Sequence, residues 1–476
     1  MAAPGGRHTL AALEVCGVLL CLAATLLFKF DEKQPIPYMD EQFHIGQVIK
    51  YCEGNFYEWD PKITTFPGLY LISLGVLKPV GWLMGWDEDT TCSVLNLRAI
   101  NIMFSIGNFY LFLALIRKIH GKDKNYQDTV AVVTAVVLSL FPVMYFFTFL
   151  YYTDPGSTFF TLLMYLLSLH DNHKVAAMMG LVAILFRQTN VIWVAFVAGV
   201  KFGDLVVRYV GPEKRDIPKE AIGSMDFLIY SVYLLFVGLK DRTKEFQQLL
   251  SSFLSSTWSY ILLFVGFAAF IVFNGGIVVG DRSAHVAVLN FPQLFYFSCV
   301  TFIFAFPHML TLFKAFHFVD FLFRRPVLFF MCYLISCVLA MYFTYEHPYL
   351  LADNRHYTFY IWRRIYLLHP YMRYILIPAY IYCYWAIHEN LQNRHVWWKL
   401  TYAVALFLST VPQQLMEFRY FIIPYLLFRL HSPLSNLSKL MMELVIAIAV
   451  NAVTIHLFLN RPFTWPNSND VQRFMW

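Results

Sequence analysis

Charge is scarce in this sequence: Asp, Glu, Lys and Arg make up only 14% of its 476 residues, where a soluble domain carries about a quarter. A chain so poor in charge cannot cover a water-facing surface, which excludes an ordinary soluble enzyme. Cysteine is sparse as well. The eight cysteines are scattered, and six of them fall inside apolar runs, so neither a disulfide framework nor a zinc cluster is available. No dinucleotide glycine fingerprint, no HExxH and no EF-hand loop occurs, and no metal site is expected. Repeats and low-complexity linkers are absent too. Without an inverted repeat, the common architecture of secondary transporters has no support. Without a linker, residues 1–476 read as a single domain.

What is abundant is apolar: 59% of the residues are hydrophobic and 18% aromatic. This composition predicts an all-α, polytopic membrane protein whose lipid-facing surface replaces a solvated one. Apolar runs recur from residues 10–29 to residues 440–459. The first follows Arg7 and precedes FDEKQPIP, which offers no small-residue cleavage site, so it reads as a retained span rather than a signal peptide. The run 175–200 is interrupted by FRQTN. Burying Arg187, Gln188 and Asn190 in lipid costs several kcal/mol, so the run is split into two short helices at a polar turn. About thirteen spans follow, within a range of 12–14.

Loop charge then orients the chain, which carries a net charge of +6. Lys and Arg dominate 117–127, 201–253, 314–325 and 389–399, and the positive-inside rule makes these cytoplasmic. Within 201–253, FLIYSVYLLFVGL reads as an interfacial helix, because another crossing inverts everything downstream. A sequon at Asn436 falls on this side and is expected to be unused. Alternation sends 31–93, YYTDPGS, FRQTN, NGGIVVGDRSAH, 345–371, PQQLMEFR and the segment NRPFTWPNSNDVQRFMW to the other face. That face is rich in Asp, Asn, Arg, His, Tyr and Trp.

On this second face, the segment from Tyr38 to Trp86 reads as a loop with one or two interfacial helices, seated by its aromatics at headgroup level. Asp40 and Glu41 open it. A carboxylate at the water boundary is placed to act as general base on a hydroxyl, although a DE pair also serves as a plain helix cap. Neighbours on a helix project about 100° apart, so only one of the two can face a substrate, and Asp40 is the choice. Cys52 and Cys92 share the same segment, and a disulfide between them requires an oxidising compartment. In ADNRHYTFYIWRR, residues 352–364, Arg355, Arg363 and Arg364 stand with His347 and His356 where basic residues are usually rare. Guanidinium forks match phosphate oxygens. Arg363 and Arg364 also fit pairing with local acids or snorkelling to headgroups. GDRSAH after a Gly-rich turn fits a phosphate cradle or a structural turn. Asp154 before Pro155 is explained by a helix N-terminus, and Arg187 and Arg419 are isolated signals at helix ends.

Taken together, YMDEQFH, WDPKITTFPGLY, FRQTN, NGGIVVGDRS, LADNRHYTFYIW, EFRYFIIPY and WPNSNDVQRFMW resemble the dolichyl-phosphoglucose-dependent α-1,2-glucosyltransferases of the endoplasmic reticulum. The resemblance runs nearly end to end and implies a C-type glycosyltransferase fold with a lumenal active site and lumenal interfacial helices. It implies transfer of glucose from dolichyl phosphate glucose to a diglucosylated, dolichyl-pyrophosphate-linked oligosaccharide, with inversion, without cofactor or metal, before protein N-glycosylation. By that resemblance Asp40, with Glu41 beside it, matches the acidic base of the first lumenal loop. Chemistry and position nominate Arg355, His356, Arg363 and His347 for the donor phosphate. The same motifs nominate His44, Trp59, Asp60 and Arg187 for substrate contact, together with Asp281, Arg282, Asp353 and Tyr357. A lipid or solute transporter and a noncatalytic channel-associated subunit are the contrasting classes. A transporter usually places its ionisable residues near mid-span, and a noncatalytic subunit tolerates loss of Asp40.

Overall fold

The computed structural model describes residues 4–122, 126–211, 219–281, 287–466 and 470–476. It is almost wholly helical; among the described residues the only sheet is a two-stranded ribbon, Phe463–Thr464 with Val471–Gln472. Among the described residues, five helices are long and apolar enough to cross a membrane alone: Leu10–Lys33, Glu88–His120, Gln188–Val210, Lys244–Asn274 and Leu437–Asn460. Two bent pairs bring the number to at most seven. One of them, Asp128–Ser139 with Pro142–Phe149, bends by 60° where Pro142 removes a backbone donor. Other apolar runs fold as shorter helices, including Gly68–Met84, His173–Phe186 and Pro292–Phe304. The chain is a multi-pass membrane protein.

The polar turn FRQTN breaks its helix as expected. His173–Phe186 ends there, Arg187 is extended, a 3-10 turn covers Gln188–Asn190, and Val191–Val210 resumes. Asn190 satisfies the break from within by donating to Ser157 Oγ and to the Ala183 carbonyl. The aromatic surplus fills the core. Phe30 lies 5.0 Å from both Phe149 and Phe458, so rings from the first span, the 142–149 bend and the Leu437–Asn460 helix pack on one another.

The polar groups gather in two layers. In one, Arg394 donates to the His431 carbonyl, His395 meets Asp204 at 3.0 Å, and Lys399 donates to the Gly223 carbonyl. Those are the segments that loop charge made cytoplasmic. In the other, Gln188 donates to the Thr64 carbonyl, Asp281 N–H to the Pro61 carbonyl, Asn290 N–H to the Val411 carbonyl, and Arg355 to Gln472. Segments far apart in sequence, all of them ones that alternation sends to the second face, are thereby joined.

The first of these segments folds as two helices, Glu41–Cys52 and Gly68–Met84. A disulfide joins Cys52 to Cys92 and ties the first of them to the start of the Val94–His120 helix.

Candidate active site around Asp40

The turn that carries the two acids is strained. Met39, a non-glycine residue, has φ of 56°, a left-handed conformation that costs of order 1 kcal/mol and persists only where the surroundings impose it. Glu41 imposes it. Its side chain is fully buried, and its two oxygens accept from Arg98 Nε and Nη2 at 2.8 Å each, from Tyr151 N–H at 2.7 Å and from Tyr38 N–H at 3.0 Å. Arg98, equally buried, donates in turn to the Gln34 carbonyl. Glu41 therefore binds the end of the first span, the Val94–His120 helix and the 151–154 turn into one unit. Every lone pair of Glu41 faces a donor, and its side chain has no exposed surface.

That arrangement releases Asp40. It occupies the N-cap position of Glu41–Cys52, yet its side chain makes no capping bond; the Phe43 and His44 N–H groups of the first turn donate to its main-chain carbonyl instead. Its carboxylate is 51% exposed and lies 3.5 Å from Arg419 Nη2. The helix-cap explanation for the pair is thus divided. Glu41 does the structural part, and Asp40 stands open.

Arg419 is the cation of the site. Its guanidinium also meets Glu417 at 2.8 Å and Asp154 Oδ2 at 3.8 Å, and lies over the rings of Phe147 and Tyr152. Burial opposes its charge, but Glu417, Asp154 and Asp40 outweigh that and hold it well above its ordinary pKa. Asp154 is buried and accepts from Arg187 Nη1 at 2.6 Å, while its other oxygen has no hydrogen-bond partner. Asp154 does begin a helix, Asp154–Leu169, with Pro155 in its first turn, but its side chain caps nothing and joins two arginines instead. A polar cleft lined by Asp154, Ser157, Arg187, Asn190, Gln413 and Arg419 runs inward from this cluster. The MEFR segment and YYTDPGS were weak signals alone, and only the fold brings them to Asp40.

His44 lies one helical turn beyond Asp40, its ring near Tyr152 and its Nδ1 2.6 Å from the Tyr70 hydroxyl. Burial lowers its pKa, against the pull of Asp40, so the imidazole is neutral near pH 7. Trp59 and Asp60 form a pinned turn: Trp59 donates to the Ile63 carbonyl, Asp60 accepts from Lys62 N–H, and its own N–H donates to Gln47. Asp281 packs its backbone on that turn, and Arg282 lies outside the described residues.

The expected phosphate ligands are placed otherwise. Arg355 forms a bidentate pair with Asp353, donates to Gln472 and stacks on Trp465. His356 Nδ1 lies 2.6 Å from the Trp476 main-chain oxygen, and Met475 N–H donates to the Arg355 carbonyl. Tyr357 bonds Thr454 and packs on Phe474 and Trp476. His347 caps the Pro348–Ala352 helix by accepting from Tyr349 N–H. Arg355, His356, Asp353 and Tyr357 thus form a clasp on the segment 470–476. The fork that matches a phosphate matches Asp353 equally well, and Asp353 is two residues away. Arg363 alone of the nominated phosphate ligands is exposed.

A family model described as DIE2/ALG10 family matches residues 34–430, well over half of the chain. The chain belongs to the DIE2/ALG10 family. It is 46% identical over 478 residues to a Mus musculus protein named Dol-P-Glc:Glc(2)Man(9)GlcNAc(2)-PP-Dol alpha-1,2-glucosyltransferase, with all of both chains covered. A Homo sapiens protein of the same name is 45% identical, again over the full length of both. An Arabidopsis thaliana protein of that name is 35% identical, covering 93% of this chain and 95% of its own. No solved structure matches.

Among the described residues of this DIE2/ALG10 chain, no three His, Cys, Asp or Glu side chains come together to hold a metal ion. The triplet Asp87–Glu88–Asp89 has the spacing used for nucleotide-sugar metals, but Asp87 caps a short helix by accepting from Thr90 N–H and Glu88 pairs with Lys78.

Proposed function

We propose that this chain transfers glucose from dolichyl phosphate glucose to a diglucosylated, dolichyl-pyrophosphate-linked oligosaccharide, forming an α-1,2 linkage at the lumenal face of the endoplasmic reticulum membrane. The names of full-length relatives support the substrates. The observation that carries the chemistry is Asp40, an open carboxylate on a strained turn, free of capping duty and faced by Arg419. The whole chain acts as one domain around it.

The reaction is a single displacement. The acceptor hydroxyl gives its proton to Asp40, its oxygen bonds to C1 of glucose, and the bond from C1 to the phosphate oxygen breaks with its electron pair leaving on dolichyl phosphate. A phosphodiester with one negative charge becomes a monoester with two, so the step develops anionic charge at the leaving group. Arg419 and Arg187 are the cations beside Asp40 and Asp154, and they stabilise that charge. Phosphate leaves unaided by an acid, which distinguishes this site from the two-carboxylate arrangement of glycoside hydrolysis. Glu41 and Arg98 position Asp40 without touching substrate.

The test is transfer of glucose by the purified protein from synthetic dolichyl phosphate glucose to a defined diglucosylated acceptor, with linkage analysis of the product. Formation of an α-1,2-linked glucose in the presence of EDTA is expected. Absence of transfer, a different linkage or strict dependence on added metal overturns the reading.

A further inference from the structure

Residues 357–376 carry three arginines that the site around Asp40 does not use. A short helix, Tyr357–Ile361, runs into a π-helical turn, Trp362–Tyr366, and a second short helix follows at Met372–Ile375. Arg363 lies over the Phe359 ring at 5.7 Å, Arg364 over Tyr360 at 5.4 Å, and Arg373 over Tyr366 at 5.8 Å. Tyr366 is itself stacked at 4.2 Å on the buried Trp362. The guanidinium planes are thus laid on aromatic faces rooted in the core, which reduces the entropy lost when they take a ligand. Among the described residues no carboxylate comes within 4.0 Å of any of the three; their absence from the ion pairs contrasts with Arg355, Arg419 and Arg187, each tied to Asp353 or Asp154. Ile365, Leu368, Tyr371 and Ile375 are all more than 40% exposed between them, so the ledge combines an apolar surface with unneutralised cations. An anionic group at the head of a lipid matches both features.

The lipid is identified by which arginines stand beside Asp40 and which do not. Under the proposed function, on which this inference rests, the donor phosphate is bonded directly to the reacting C1. The base reaches the acceptor hydroxyl at roughly 3 Å and the hydroxyl approaches C1 at a similar distance, so the donor phosphate sits within about 10 Å of Asp40. Arg419 is there already, at 3.5 Å, and Arg187 shares Asp154 with it. The acceptor is different. Its reacting hydroxyl is separated from its pyrophosphate by the length of the oligosaccharide, so that pyrophosphate lies away from the base, and it offers two linked phosphates to several forks. We propose that Arg363, Arg364 and Arg373 form a ledge that seats the pyrophosphate of the acceptor lipid, leaving the donor phosphate to Arg419 and Arg187. The ledge anchors the membrane end of the acceptor while the sugar end reaches Asp40.

Full-length protein in nanodiscs of phosphatidylcholine decides the matter, comparing wild type with R363A/R364A/R373A and with the triple Lys variant. KM is measured for the lipid-linked acceptor, for a water-soluble diglucosylated oligosaccharide without pyrophosphate, and for the donor. The Ala variant is expected to raise KM for the lipid-linked acceptor about tenfold or more, with kcat, donor KM and use of the soluble acceptor unchanged. The Lys variant, which keeps charge without the fork, is expected to recover part of the loss. Transfer with an unchanged acceptor KM, a rise in donor KM, an equal loss with the soluble acceptor, or a loss that appears only when phosphatidylserine is added to the discs overturns the ledge alone. A wild-type protein that transfers to neither acceptor overturns the function and the ledge together.

Discussion

Asp40 and Glu41 are adjacent acids with opposite duties, and isosteric amides separate them. Glu41 accepts four hydrogen bonds at zero exposure. Replacing it with Gln turns one acceptor into a donor, so an amide N–H must face Arg98 or a backbone N–H, and the buried guanidinium loses its counter-charge. Breaking one side of a buried ion pair costs about 3–5 kcal/mol, a large share of the roughly 5–15 kcal/mol that holds a native state together. Asp40 is 51% exposed, with its nearest ion-pair partner 3.5 Å away. Its replacement by Asn costs at most about 1 kcal/mol of stability, but loss of a general base lowers turnover roughly 10²–10⁴-fold. The assay is thermal unfolding in detergent together with glucose transfer normalised to folded protein. Glu41→Gln is expected to fall sharply in Tm, whereas Asp40→Asn unfolds like wild type and transfers almost nothing. An Asp40→Asn protein with full transfer refutes the assignment of the base. A Glu41→Gln protein with normal Tm refutes the division of labour.

Arg419→Lys keeps a charge but loses the fork that meets Asp40, Glu417 and Asp154, so kcat/KM should fall about 10²-fold or more, and an unchanged value removes Arg419 from the reaction. The Cys52–Cys92 bridge closes a loop with a sequence separation of 40, worth roughly 4 kcal/mol by chain entropy; reductant should lower the wild-type Tm and leave the double Ser variant unaffected, and a Tm indifferent to reductant counts against the bridge. Burial depresses the His44 pKa below its ordinary value, so the unfolded chain binds the proton first as pH falls, and stability present above about pH 6.5 is lost below it. His44→Gln should therefore lose less Tm than wild type between pH 7.5 and 5.5, and parallel losses in the two proteins contradict this.

Much of this was legible because membrane chains separate their charges by side. Loop charge alone groups the polar segments that the fold joins, and FRQTN announces its own break. Two side chains show what sequence leaves hidden. A guanidinium on the sparse side, Arg355, calls for an anion, and Asp353 two residues earlier supplies one. Asp154 begins a helix, as Pro155 after it predicts, but its partners, Arg187 and Arg419, lie 33 and 265 positions onward and no local pattern announces them. Arg98 had a signal that went unused, a lone guanidinium inside the apolar run LNLRAINIM, which in a span calls for a buried acid. That acid is Glu41.

The junction of Tyr38 with Arg473 bears on how the protein is made. The Tyr38 hydroxyl bonds both the N–H and the carbonyl of Arg473, and the Arg473 side chain holds the Lys33 carbonyl and Gln34 at the end of the first span. The partners are separated by more than 430 positions, so at ribosomal speeds of about 5–20 residues per second the turn bearing Asp40 waits at least some twenty seconds in the translocon's surroundings for its counterpart to be synthesised. A nascent chain interrupted anywhere in that interval presents an unfinished turn at Asp40, open at the place where Arg473 later binds.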